Sequence, residues 1–303
     1  MESRTIDLDG PVHYLSYDGP ADGLRFVCVH GLGGSHPNWL SLAPMLSARG
    51  SVLVPDLAGH GRTPLAGRSA SIHENRRLLS RFLQATGATP AVLVGNSMGG
   101  LISLMEAHQD PDAVAGVILL DAAAPREAST PIDRTVATLF ATYMLPFLGE
   151  AYLRRRARRL TPEQMVNETL SLVMDDPTRV APDVIAAHVA MAKERATMPW
   201  ATTAFLQATR SMVPFLGRKS HYLAMLKAIS APVLIIVGRK DRLVPLAAAQ
   251  AMARARPDWE FVVFDDLGHA PQLEDPRAVY GAIERWLSGT AAMLVDGRRR
   301  EKA

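Results

Sequence analysis

Apolar residues gather early in the chain into short dense runs: Phe26–Val29, Ser51–Val54, Ala91–Val94 and Val114–Leu120. Runs with so little alternation suit strands covered on both faces in a mostly parallel sheet. Between them, apolar positions recur at helical spacing over Trp39–Ala48, Ile72–Ala85 and Gly100–His108. Two earlier segments, Thr5–Leu8 and Val12–Tyr17, flank an Asp9-Gly10 turn signal and predict an opening hairpin. Late in the chain, Val233–Val237 and Glu260–Phe264 are each followed by a helical pattern, Leu246–Ala255 and Arg277–Leu287. Strand and helix alternating in this order predict an α/β fold with a mostly parallel, doubly wound sheet.

Between Asp121 and Ser230 the alternation stops. No strand pattern occurs there, prolines punctuate several helical segments, and the stretch holds seven of the thirteen methionines. That much apolar surface predicts an inserted helical lid rather than a linker. Flexible thioethers suit a cover over a site that admits varied ligands. The expected organisation is a first core part at 1–123, a lid at 124–229, a second core part at 230–290 and a flexible tail at 291–303.

Composition narrows the picture. The chain has 303 residues, 48% of them hydrophobic, which is ample for one core with an insertion. Its single cysteine, Cys28, lies in a strand run and has no partner for an intrachain disulfide. The first ten residues lack the apolar centre of a signal peptide, and no stretch approaches the roughly eighteen apolar residues of a membrane span. A cytoplasmic protein with no stable membrane insertion is expected. The net charge of +3 is concentrated at Arg154–Arg159 and Arg298–Lys302. Without aromatics interleaved to stack on bases, these runs predict solvated surface and no nucleic-acid partner.

The chemistry centres on Val94-Gly-Asn-Ser97-Met-Gly-Gly-Leu101, a Gly-x-Ser-x-Gly between a strand run and a helical run. This is the pattern of a nucleophile elbow, in which a strained turn holds a serine hydroxyl above the sheet at a helix N-terminus. A serine needs a base, and the base needs a carboxylate to orient it. His269 follows the last strand and is the expected base. His13 and His36 are assigned to surface-like turns, and His73, His108, His188 and His221 to helices. Only His30 and His60 also sit at strand ends. Asp241 follows the Val233–Val237 strand and is the expected acid, with a helix N-cap as its plainer role. Asp121, at the end of Val114–Leu120, is the competing acid. The oxyanion donors are expected to be the backbone N–H groups of Met98 and of Leu32, in His30-Gly-Leu-Gly-Gly-Ser. No Gly-Lys-Ser/Thr follows that glycine-rich turn, so a nucleotide site is not expected.

Taken together, His30-Gly-Leu-Gly-Gly34, Asp56-Leu-Ala-Gly-His-Gly-Arg62, Gly95-Asn-Ser-Met-Gly-Gly100, Gly238-Arg-Lys-Asp241 and Gly268-His269 resemble lid-bearing serine hydrolases of the α/β-hydrolase fold superfamily. The resemblance implies that fold and a Ser97–His269–Asp241 triad acting through an acyl-enzyme, with no metal and no organic cofactor. Ser97 argues against the members with an aspartate nucleophile. The substrate class it implies is a carboxylic ester of small to medium size and hydrophobic character. Asn96-Ser-Met-Gly-Gly100 is also similar to carbon–carbon hydrolases of meta-ring-fission products. In those enzymes the asparagine helps bind a dienol acid and a lid arginine holds its carboxylate, a part assigned here to Arg210 or Arg218. Ala270 departs from that pattern, in which a tryptophan follows the histidine. A third class, a ligand receptor that keeps the triad, remains open to a turnover assay.

Overall fold

The computed structural model describes residues 1–128, 130–131 and 133–299. Strands β1 (Glu2–Asp7) and β2 (Pro11–Tyr17) pair antiparallel across Asp9 and Gly10, both at positive φ, as a tight hairpin turn requires. Then follow β3 (Leu24–Val29), α1 (Ala43–Leu46), β4 (Gly50–Pro55), α2 (Ile72–Ala85), β5 (Ala91–Asn96), α3 (Met98–Gln109) and β6 (Val114–Leu120). The insertion carries α4 (Arg134–Met144), α5 (Leu148–Arg159), α6 (Pro162–Val173), α7 (Pro182–Ala196), α8 (Ala201–Gly217) and α9 (Lys219–Ala228). The chain closes with β7 (Val233–Gly238), α10 (Leu246–Ala255), β8 (Glu260–Phe264), α11 (Pro271–Glu274) and α12 (Pro276–Arg299).

The eight strands form one sheet in the order β1-β2-β4-β3-β5-β6-β7-β8. From β4 to β8 all neighbours are parallel, and only β1 and β2 run antiparallel. Every residue of β5, β6 and β7 is buried, which is why these strands read as unbroken apolar runs. One core packs α2, α3, α9 and α10 on one face of the sheet, through Leu79, Phe82, Ile102, Tyr222 and Met252. The other face is covered by α1 and α12, through Leu46, Ile283 and Trp286.

Two boundaries differ from the sequence pattern. The helix expected over Trp39–Ala48 is instead a 3-10 turn, His36–Trp39, and the four-residue α1. Pro44 is the reason, since proline is tolerated only in the first turn of a helix, so α1 starts beside it. Helix α12 also runs on to Arg299, through most of the expected flexible tail. Leu294 is buried there, against the space that Gly116 leaves in β6. Residues 300–303 lie outside the described residues.

The sheet order places the site. The connection leaving β3 goes to β4 on one side, while that leaving β5 goes to β6 on the other. Adjacent parallel strands whose connections diverge open a crevice at their carboxyl ends, where ligands bind in open α/β sheets. The loop 30–34 and Ser97 are the residues that follow those two strands.

Candidate active site

Ser97 sits between β5 and α3 at φ 54° and ψ −119°, a conformation that L-residues adopt only under strain. The crossing around it is tight. A Cβ on Gly95 would stand 2.6 Å from Gly100 backbone, and one on Gly99 would stand 2.0 Å from the Val29 carbonyl oxygen. The turn is held by its own backbone. Ser97 N–H donates to the Leu120 carbonyl at 3.1 Å, and the Ser97 carbonyl accepts from Ala123 N–H at 2.9 Å.

His269 lies in the loop between β8 and α11. Its Nδ1 is 2.7 Å from Asp241 Oδ2, and both residues are buried. The backbone is fixed from two directions. His269 N–H donates to the Val173 carbonyl at 2.6 Å, and Asn96 Nδ2 donates to the His269 carbonyl at 3.0 Å. Asp241 divides its oxygens between two tasks. Oδ1 accepts the N–H groups of Leu243 (2.7 Å) and Val244 (3.0 Å), which ties down the loop before α10. Oδ2 is left for the imidazole. No helix begins until Leu246, so Asp241 is not an N-cap.

Asp121 reaches the same place from the end of β6. It is only 1% exposed, at φ 46°, and accepts Gly238 N–H at 3.0 Å. One polar atom from each of Asp121, Asp241 and His269 lies within 4.8 Å of the others. Burial and the neighbouring Asp241 charge push the Asp121 carboxyl well above the usual carboxylate range. That direction favours the protonated form of Asp121 beside Asp241. Glu274, in α11, is a third buried carboxyl that the sequence pattern did not single out. It accepts Gly268 N–H at 2.8 Å through one oxygen and Asp176 N–H at 2.7 Å through the other. Burial raises its pKa as well.

The β3 loop approaches from the opposite side, and a Cβ on Gly31 would stand 3.0 Å from Ser97 Cβ. Among the described residues, the N–H groups of Leu32 and Met98 enter no turn or loop hydrogen bond. Met98 follows Ser97 in the chain, and Leu32 follows Gly31, the loop residue that stands against Ser97. Arg195 of α7 also reaches this loop. Its Nη1 donates to the Gly33 carbonyl at 2.9 Å, its guanidinium lies 6.0 Å from the Phe205 ring, and no carboxylate pairs with it among the described residues. Nothing in local sequence distinguished Arg195 from the other insertion arginines. Arg210 is bound to Glu150 at 2.7 Å and to the Tyr143 and Leu145 carbonyls, so its charge is already matched. Arg218 stands at the junction of α8 and α9.

Two histidine assignments need correction. His13 lies inside β2 and His36 in a 3-10 turn; both are buried and both place Nδ1 on Asp56 Oδ2, at 2.8 and 2.9 Å. Asp56 also accepts His36 N–H (2.7 Å) and Arg62 N–H (2.9 Å). These four bonds make His13, His36 and Asp56 a buried hydrogen-bonded knot. The knot binds the β1–β2 hairpin to the turns after β3 and β4.

A sequence profile of the family described as the alpha/beta hydrolase fold matches residues 25–276. The chain is 30% identical over 271 residues to the pimeloyl-[acyl-carrier protein] methyl ester esterase of Aromatoleum aromaticum, covering 87% of this chain and 98% of that protein. An esterase structure from Thermogutta terrifontis superposes with a TM-score of 0.70 at 26% identity, over 95% of this chain and 99% of that one. The haloalkane dehalogenase DbeA of Bradyrhizobium elkani superposes with a TM-score of 0.79 at 20% identity, over 96% and 99% of the two chains, a likeness of fold alone.

Proposed function

The chain belongs to the alpha/beta hydrolase fold family, and from that premise we propose a serine hydrolase that cleaves carboxylic esters of small to medium hydrophobic substrates. The observation that carries the reading is the Asp241-braced imidazole of His269, in the loop that Asn96, the residue before strained Ser97, ties to the end of β5. Through Nε2, His269 takes the Ser97 proton as Oγ attacks the ester carbonyl. The N–H groups of Leu32 and Met98 stabilise the oxyanion, and Asp241 steadies the imidazolium. His269 then protonates the departing alcohol. Water repeats the sequence on the acyl-enzyme, releasing the acid and restoring Ser97. The helices between β6 and β7 serve as the lid.

The esterase named among the relatives supports this reading. Asn96 weighs against carbon–carbon hydrolysis. Its two amide hydrogens already go to the Leu120 and His269 carbonyls, each at 3.0 Å, which leaves no donor for a dienol acid. Arg210, engaged by Glu150, is likewise not free for a substrate carboxylate.

The test is a panel of p-nitrophenyl esters of graded chain length, with a ring-fission dienone beside it. Rates rise from acetate toward medium chains, since each buried methylene contributes about 0.8 kcal/mol. Ser97→Ala lowers the rate by on the order of a millionfold with the fold intact. Acetate as the best ester would overturn the apolar acyl pocket. Full activity in the alanine variant would overturn the triad, and good turnover of the dienone alone would favour carbon–carbon cleavage. An absence of turnover on every substrate would favour a receptor.

A further inference from the structure

The turn between α4 and α5 exposes the largest apolar side chains of the described surface. Leu145, Phe147 and Leu148 are 53%, 85% and 50% exposed, with Pro146 exposed between them. Apolar surface gathered at one projecting tip marks an interaction site, whereas single exposed leucines do not. The backbone adds a second observation. Phe147 stands at φ 64°, a left-handed conformation that is a strained outlier for a bulky residue. Strain that turns an aromatic ring into water has no return within the folded chain. The two helices meet there at 115°, so the tip projects from the insertion.

Behind the tip, α5 carries Leu153-Arg-Arg-Arg-Ala-Arg-Arg-Leu. Arg156 pairs with Glu168 at 2.9 Å, but Arg154, Arg155, Arg158 and Arg159 are exposed and their guanidinium groups have no partner among the described residues. At about 100° per residue, Arg155 and Arg159 fall within about 20° of Leu148 around the helix axis. Arg158 lies about 80° and Arg154 about 120° to one side, so within the about 18 Å rise of α5 Arg155 and Arg159 share the face of Leu148 and the other two flank it. The acid of this segment, Glu150, is neutralised by Arg210. A helix C-terminus favours cations, but that does not account for four that face no carboxylate.

We propose that this tip and the arginine face of α5 dock the protein on a membrane surface rich in anionic phospholipid, Phe147 and Leu148 entering the acyl boundary and the four arginines lying against lipid phosphates. Aromatic and aliphatic groups backed by a basic face are the chemistry of interfacial binding, and the basic run gives it charge selectivity. No single helix among the described residues is long and apolar enough to cross a membrane, and the contact proposed is a peripheral one. The surface is separate from Ser97 and His269 and stands or falls independently of the ester reading.

The experiment is co-sedimentation of the full chain with vesicles of pure phosphatidylcholine and with vesicles containing one-third phosphatidylglycerol. Partitioning is expected to be at least about tenfold higher on the anionic vesicles and to fall as salt is raised. Replacing Arg154, Arg155, Arg158 and Arg159 with glutamine removes the preference for anionic lipid. Phe147→Gly lowers binding about tenfold while raising the melting temperature, because glycine relieves the positive φ. That opposite movement separates lost docking from lost folding. Turnover of a water-soluble ester stays unchanged in both variants. Equal binding to the two vesicles, no binding to either, or wild-type binding by both variants would overturn the proposal. So would a wild-type dimer that Phe147→Gly makes monomeric, with no binding to vesicles.

Discussion

Asp121 and Asp241 are two buried aspartates side by side, and their hydrogen-bond partners differ. Asp241 accepts two backbone N–H groups and faces the His269 imidazole. Asp121 accepts one N–H, from Gly238, but its burial and then the neighbouring Asp241 push its pKa up, toward the neutral form. Asp241→Asn is expected to lower ester turnover about ten-thousandfold, because the amide imposes the wrong imidazole tautomer. Asp121→Asn keeps a neutral donor toward Asp241 and an acceptor for Gly238, so turnover stays within a few-fold of wild type. Its stability effect carries a sign. A carboxyl whose folded pKa lies above the ordinary 3.8 contributes most below that value, and its contribution is lost as pH rises toward the folded pKa. The melting-temperature gain of Asp121→Asn should therefore grow between pH 5 and pH 8, and a gain that shrinks over this range would place the proton elsewhere.

The elements that carry the site are joined by a staple between insertion and core. Glu274 of α11 bridges the backbone before His269 and that of Asp176, while His269 itself is bonded to Val173 at the end of α6. Val166, Leu170 and Met174 pack on Ala270 and Leu273 in the same place. The insertion thus fixes the position of the imidazole as well as covering the sheet edge. Glu274→Ala removes two bonds to a buried charged acceptor, a loss of about 3 kcal/mol in urea unfolding. It should also lower kcat about tenfold and expose the chain near residue 176 to limited proteolysis. Gln at this position, which keeps one acceptor, should fall between. Unchanged turnover in the alanine variant would mean that the loop holds its geometry unaided.

Across the whole molecule, buried titratable groups set opposite limits on stability. Burial lowers the pKa of His60 to about 3 and of His188 to about 4, and lowers that of His30 in the same direction. An imidazole depressed in the folded state contributes fully above its ordinary value of 6.5, and the contribution is lost as pH falls toward the folded pKa. Asp56, held ionised by two imidazoles, adds its loss only below the usual carboxylate range. Asp121 acts in the other direction as pH rises. The urea midpoint should consequently drop between pH 7 and pH 5. In His188→Gln, which removes one of the depressed imidazoles, the drop should be smaller.

Local pattern alone was enough for the central strands, because a strand buried on both faces has no polar positions to disguise it, and Val114–Leu120 ends where the structure ends it; the half-exposed edge strand Glu260–Phe264 was legible from its apolar run. The elbow's motif was also local in the chain, with Gly95 required by Gly99 and Gly100, although Gly99 is required by Val29 of the neighbouring strand. What the pattern could not supply was pairing between residues distant in the chain. His36 on Asp56, His13 on Asp56 and Glu274 against Asp176 join residues 20, 43 and 98 positions apart, and Asp121 meets Asp241 from further still. A histidine in an ordinary polar context reads as surface until a carboxylate from another strand removes it from water. Arg210 and Arg195 looked alike in the sequence. Only the folded insertion gave one a glutamate and left the other facing the loop beside Ser97, because charge matching depends on distance in space and the chain records only distance along itself.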